Sequence, residues 1–492
     1  MSQQPLRILM VATEMVPFAK TGGLADVMGA LPKALRAAGH DVCVVMPCYG
    51  WIAPERFAMQ TVLQTLTVPI EETVDYATVH ATVIGDVPVW FVAHDTYFNR
   101  DGMSMYDDDD RRFVFFCRAA LELTRALAWQ PDIIHCHDWH TAIIPNWLRT
   151  VLHDDPWFAQ TASLLTIHNL AFQGVFGHRV LEIAGVPHGD FEVTEGTATN
   201  DTVTLLGRGI YYADIINTVS PSYAREILDP DAGHGLDALL RRRRDRLYGV
   251  LNGIDGEVYT PASDRYLATP YSSSDLTGKA TCKTALQAML GLQVDASIPL
   301  VSVISRLTTL KGFDLLDEII EPFLRSHALQ LVVMGTGQQR YHDRLIELQA
   351  RFPGQVAFRL TFDETLAHHI YAGADMFVMP SRVEPCGTSQ MIAMRYGTVP
   401  IVHATGGLRD TVRDYQPITN DGTGFVFAEP QASALRYALD RALTLYADAP
   451  VWLQLMLRGM SSDFTWQAAA VHYIDLYQRA MAAHTSDYER NV

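Results

Sequence analysis

The sequence predicts an α/β protein built as two Rossmann-like domains, with a last helix returning to the first. Three observations carry this expectation. The chain has 492 residues, more than one compact core normally organises. Short apolar strands alternate with amphipathic helices in two separate runs, before and after a Pro- and Ser-rich stretch around residues 261–274. Glycine pairs and charged residues recur just past the strand ends, where parallel α/β sheets take their ligands.

The first run opens with an apolar strand over 6–11. Lys20-Thr21-Gly22-Gly23-Leu24-Ala25-Asp26-Val27 follows, and Leu24, Val27, Leu31 and Leu35 mark a helix. Further strands are predicted over 41–46, 87–93, 132–135, 163–168 and 214–219, with helices over 110–127 and 141–152. Such alternation implies a parallel sheet covered on both faces. Past Leu251-Asn252-Gly253-Ile254-Asp255 the pattern pauses, and a helix over 278–290 leads into the second run. Its strands fall at 300–304, 329–334, 355–359, 375–379 and 400–403, and its helices at 313–325, 338–351, 364–372 and 389–396. A helix over 465–482 closes the chain, with Thr465 as its N-cap. The expected domains are 1–258, 259–464 and the returning segment 465–492.

Composition excludes several classes. With 38 Lys and Arg against 55 Asp and Glu, the formal charge is −17, which argues against nucleic acid as a general partner. The basic run 241–244 reads as a solvated helix face or loop, with a local ligand contact as the alternative. No window approaches the roughly 20 apolar residues of a membrane span, and no targeting segment is evident. Six scattered cysteines suit reduced thiols and a cytoplasmic setting.

Five segments are candidates to carry chemistry. Gly22 and Gly23 at a helix start, with Lys20 beside them, suit a phosphate, although a glycine pair alone equally makes a tight packing turn. Arg306 ends a strand and Lys311 precedes the next helix, so both can converge on an anion. Glu384, followed by the amides of Cys386, Gly387 and Thr388 at a helix start, suits a polyhydroxy ligand; the alternative is a helix-capping Glu. His135-Cys136-His137-Asp138-Trp139-His140 has some metal-like spacing but lacks a matching ligand set, and a carboxylate beside an indole fits a sugar better. His168-Asn169 closes another strand, where a structural histidine competes with a ligand contact. The acidic run 107–110 reads as a hydrated loop capping the next helix.

Taken together these segments resemble bacterial glycogen synthases and plant starch synthases. The match rests on Lys20 to Val27, His137-Asp138-Trp139-His140, Thr166-Ile167-His168-Asn169-Leu170, Tyr211-Tyr212-Ala213-Asp214, Val219-Ser220-Pro221 and Leu251 to Asp255. It continues through Arg306-Leu307, Lys311-Gly312, Glu384-Pro385-Cys386-Gly387 and Thr405-Gly406-Gly407-Leu408, in family order over nearly the whole chain. The resemblance implies the GT-B fold, its two domains facing across a cleft. It implies transfer of glucose from ADP-glucose to the non-reducing end of an α-1,4-glucan such as glycogen, with retention, no cofactor and no metal. It places Lys20 and the Gly22 and Gly23 amides at the donor's distal phosphate, with Asp26 in the same loop. Arg306 and Lys311 then hold the diphosphate, and Glu384 with Cys386, Gly387, Thr388 and Ser389 holds the glucose. His168 and Asn252 lie near its 6-hydroxyl, Asp138 on the acceptor side and Phe362 near the base, and Gly335 is a further substrate-binding position.

Thr388-Ser389 stands where Leu-Thr is usual, Phe362 replaces a common Tyr, Ser305 a common Gly, and Arg409 a small residue. These departures leave UDP-glucose as a rival donor. An epimerase, a phosphorylase and a non-catalytic glucan-binding scaffold are further alternatives, but a scaffold needs no leaving-group clamp.

Overall fold

The computed structural model describes residues 4–187 and 202–491. The chain forms two compact units, Met1–Gly253 with Trp466–Val492, and Ile254–Thr465. The crossing at Gly253–Ile254 compares with the predicted 258/259, and the return comes at Thr465–Trp466.

The first unit holds β1 (Arg7–Val11), β2 (Asp41–Pro47), β3 (Gln60–Ile70), β4 (Thr73–Ile84), β5 (Val87–Ala93), β6 (Ile133–His137) and β7 (Ala162–Ile167). It continues with β8 (Val175–Gly177), β9 (Thr202–Thr204), β10 (Ile215–Thr218) and β11 (Leu247–Gly249). Nine of these make one sheet in the order β11-β10-β7-β6-β1-β2-β5-β4-β3, while β8 and β9 pair separately. The alternation predicted a parallel sheet, but the sheet is mixed: β4 runs antiparallel to both β3 and β5. Strand β3 is mostly exposed and rich in Gln and Thr, so no apolar run announces the hairpin.

The second unit holds β12 (Leu300–Ile304), β13 (Gln330–Met334), β14 (Val356–Arg359), β15 (Met376–Met379), β16 (Val399–His403) and β17 (Phe425–Phe427). They form a sheet ordered β14-β13-β12-β15-β16-β17, parallel throughout. Val303, Leu331, Val333, Ile401 and Phe425 pack with Leu316, Phe323 and Leu435 in its core.

Strand order places the ligand crevice in each unit. In the first, the chain winds outward in both directions from β1 and β6; in the second, from β12 and β15. At such a reversal the connections leave to opposite faces and open a crevice beyond the strand C-termini. The loops after β1, β6, β12 and β15 carry Lys20, Asp138, Arg306 with Lys311, and Glu384 respectively.

The last helix spans Trp466–Asn491, longer than predicted, and begins one residue after Thr465. It packs within the first unit, on helix Gly23–Ala37 and on β6, β7 and β10. Tyr477 is fully buried, with its hydroxyl 3.0 Å from His135 Nδ1. Asp487 accepts from Arg149 and Arg246 at 2.8 and 3.0 Å. Arg243 donates to the carbonyls of Tyr211 and Ala213. Part of the basic run's neighbourhood is therefore structural, because these guanidiniums satisfy backbone and a carboxylate of the last helix.

Candidate active site

Strand β1 ends at Val11, and the chain continues through buried Thr13 and Glu14 before reaching the glycine pair. Glu14 Oε2 accepts from the backbone N–H groups of Thr21 (2.6 Å) and Gly22 (3.0 Å), and Oε1 accepts from Thr21 Oγ1 (2.5 Å). Helix Gly23–Ala37 starts here, so its positive end already faces a carboxylate. The Gly22 amide, expected to meet a phosphate, has an internal partner instead. Lys20 Nζ lies 2.6 Å from Asp26 Oδ1, with both side chains about half exposed.

Neither backbone conformation nor packing accounts for the two glycines. Gly22 is extended, with φ −149° and ψ −164°, and Gly23 has no positive φ. A Cβ added to either would meet nothing within 4 Å. What glycine preserves at these positions is open space over the loop.

After β6, Asp138 has φ 57° and ψ −175°, a backbone region that is nearly exclusive to glycine. Its Oδ1 accepts from His168 N at 2.7 Å, which ties the β6 loop to the end of β7. Burial, with the nearby Glu14 charge adding, pushes the Asp138 carboxyl up to about 7. His168 Nε2 lies 3.0 Å from His137 Nδ1, and burial lowers His168 to about 3 and His137 well below the usual range. Two neutral imidazoles thus share one proton between facing nitrogens. Trp139 is not the open sugar platform that the sequence suggested. His140 stacks on it at 3.9 Å, and a Cβ on Gly174 would lie 2.3 Å from its Cε3. Asn252 is buried, and its Oδ1 has no partner among the described residues.

In the second unit Gly312 has φ +73°, and a Cβ there would lie 2.0 Å from Pro380 O. Only glycine lets the loop after β12 come this close to the loop after β15. The approach brings Lys311 Nζ to 2.6 Å from Glu384 Oε2, which also accepts from Ser381 Oγ at 2.9 Å. Arg306 is exposed and carries no side-chain partner among the described residues. Gly335 lies against Ser305, where a Cβ would come within 1.8 Å of the carbonyl oxygen. Gly406 and Gly407 press equally closely on the carbonyls of Glu384 and Cys386, so this pair serves the architecture of the Glu384 loop. Buried Gln390 donates to the carbonyls of Cys386 and Gly387 at 3.2 and 3.0 Å, beside Thr388 and Ser389 at the start of helix Ser389–Arg395. Phe362, 68% exposed, presents its ring on the loop after β14.

Among the described residues no three His, Cys, Asp or Glu side chains are grouped to hold a metal ion. The acidic run is not a solvated cap: Asp108 grips Arg100 with both oxygens, and buried Asp109 pairs with Arg112. Three residues escaped sequence reasoning. Glu14 is the one acid between the buried strand β1 and the glycine pair, a signal that was available. Ser381 and Gln390 have no marker beyond lying beside Glu384.

The family description "Starch synthase catalytic domain" matches residues 7–242, and "Glycosyl transferases group 1" matches 293–450. A glycogen synthase of Syntrophotalea carbinolica is 44% identical over 97% of this chain and 100% of its own length. One from Thermotoga maritima is 43% identical over 97% of this chain and 99% of its own. The catalytic domain of starch synthase IV from Arabidopsis thaliana, solved with ADP and acarbose, superposes with a TM-score of 0.89 at 34% identity, over 97% of this chain and 100% of that one. Sucrose-phosphate synthase from Thermosynechococcus elongatus, at 18% identity, TM-score 0.60 and coverage of 97% and 100%, shares the fold. The chain belongs to the glycogen and starch synthase family of GT-B glycosyltransferases.

Proposed function

We propose that this chain transfers glucose from ADP-glucose to the non-reducing end of an α-1,4-glucan, with retention of the anomeric configuration. The observation that carries the reading is the Lys311–Glu384 pair at the β12/β15 reversal, with the uncommitted guanidinium of Arg306 on the same strand-end loop. Two cations and a carboxylate there match a ligand that is a diphosphate at one end and a polyol at the other. That an ADP-bound starch synthase shares 34% identity with this chain favours adenine as the base. The exposed Phe362 ring offers it a stacking face.

Breaking the glucosyl–phosphate bond builds oxocarbenium character on the sugar and negative charge on the departing diphosphate. Arg306 and Lys311 stabilise that charge more in the transition state than in the ground state. Glu384, freed from Lys311 as phosphate takes the ammonium, accepts from glucose hydroxyls. Lys20 acts at the reacting end of the donor, and neutral His168 can accept or donate a hydrogen bond to the sugar without adding charge. No carboxylate is assigned as a nucleophile, and a front-face route in which the leaving phosphate takes the acceptor proton is the simpler reading. With both cations supplied by the chain we expect no metal requirement, so chelation by EDTA should leave the rate unchanged.

The test is to mix purified protein with glycogen and either ADP-glucose or UDP-glucose, measuring nucleoside diphosphate release and chain extension. Extension with ADP-glucose supports the reading; preference for UDP-glucose replaces the donor; no extension with either overturns the synthase assignment. Replacing Lys311 or Arg306 by Ala should lower kcat by about 10²–10³, and near-normal turnover would remove that residue from the leaving-group role.

A further inference from the structure

We propose that Glu14 is a positioning residue for the proposed transferase reaction: it takes the place of an anion at the amides of Thr21 and Gly22 and so fixes the Lys20–Gly23 loop before donor arrives. The inference rests on the synthase reading but concerns a residue that reading does not use. A helix N-terminus leaves its first N–H groups without intrahelical partners, and free amides there would invite phosphate. Here two loop amides and the Thr21 hydroxyl converge on one buried carboxylate, at 2.6, 3.0 and 2.5 Å. These are charge-assisted bonds and among the stronger ones available to a loop.

The consequence is a division of labour. The amides of Thr21 and Gly22 hold the loop, and an incoming phosphate is met by the Lys20 ammonium. Lys20 must then exchange its half-exposed partner Asp26 for the ligand, a light cost for a surface pair. The glycines keep the approach open, since no Cβ at 22 or 23 would touch the protein. A loop held in this way does not have to be ordered by the donor's own binding energy, which is available for the reaction instead.

Glu14→Gln and Glu14→Ala separate positioning from charge. The glutamine carbonyl can accept from both amides while its NH₂ donates to Thr21 Oγ1, so the arrangement survives without the anion; alanine removes all three contacts. In Glu14→Ala kcat should fall about 10–100-fold, with KM for ADP-glucose moving less than about threefold. Glu14→Gln should stay within about threefold of the parent in both. Hydrogen exchange of the segment 18–27, read by mass spectrometry, should quicken about tenfold in Glu14→Ala and little in Glu14→Gln. Unchanged exchange and kcat in Glu14→Ala, or equal damage in both variants, overturns the proposal. If Glu14→Ala does not fold, Thr21→Val removes one of the three contacts and must speed exchange of the same segment; no change there also overturns it. A parent protein inactive with both donors sinks the synthase reading, while the exchange comparison still decides the role of Glu14.

Discussion

At the scale of single residues, the glycines divide into two kinds, and substitution should tell them apart. Gly335 and Gly312 sit where a Cβ would strike a carbonyl oxygen, at 1.8 and 2.0 Å. Gly335→Ala should therefore destabilise the second unit by about 2–4 kcal/mol, measured by urea denaturation. Gly22→Ala meets no atom, so its stability should change by less than about 1 kcal/mol. If the donor approaches over this loop as proposed, its turnover should fall by about tenfold or more, because the added methyl fills the open space there. A Gly22→Ala protein with parental kcat would return the pair to a plain turn. Asp138 gives a second residue-scale prediction. Its carboxyl titrates near 7 in the fold and near 3.9 when unfolded, so between those values the native state holds the extra proton. Native stability must then decline as pH rises through that window. Asp138→Asn keeps an acceptor for His168 N and removes the titration. Compared with the parent, it should gain about 3–4 kcal/mol between pH 4 and pH 8; a parallel stability curve for the two proteins would contradict this.

At the scale of elements, the ends of β6 and β7 bring together four neutral histidines, His135 and His137 buried and His140 and His168 half-buried, with the opposite sign. Burial lowers His140 and His168 to about 3, and it holds His135 and His137 well below the usual range. These groups protonate on unfolding, so their stabilisation is complete above pH 6.5 and is lost as pH falls. At pH 5 the cost is up to about 2 kcal/mol for each of His140 and His168. The urea midpoint should therefore drop between pH 7 and pH 5, and a level midpoint would contradict the burial of these histidines. Which elements were legible follows from the same local physics. Buried strands such as β5 and β12 appear as apolar runs, and both lie at their predicted bounds. The β3–β4 hairpin was invisible because Gln60 to Ile70 spreads polar residues over an edge strand. Of the candidate site, residues at strand ends were readable because chemistry concentrates there. Ser381 and the covering of Trp139 were not, because each depends on which loop folds over which.

At the scale of the whole molecule, the two units have separate sheets and cores, so they need not unfold in one step. The last helix belongs wholly to the first unit's stability. Its residues Trp466, Tyr473, Leu476, Tyr477 and Ala480 are buried, and Asp487 holds Arg149 and Arg246. The sequence signalled the helix but not its extent, because past Ala482 it is held by this charge pairing and by buried His484, 3.1 Å from Ala159 O, and not by an apolar stripe. Tyr477→Phe keeps the ring and deletes the hydroxyl that meets His135 Nδ1, leaving that buried nitrogen without this partner. The loss should be about 1–3 kcal/mol. By calorimetry, one transition should move down by about 2–10 °C while the other stays in place. The moving transition identifies the first unit, and Gly335→Ala should move the other. If Tyr477→Phe shifts both transitions equally, or only a single transition exists, then the two units unfold as one cooperative body and the last helix stabilises the molecule as a whole.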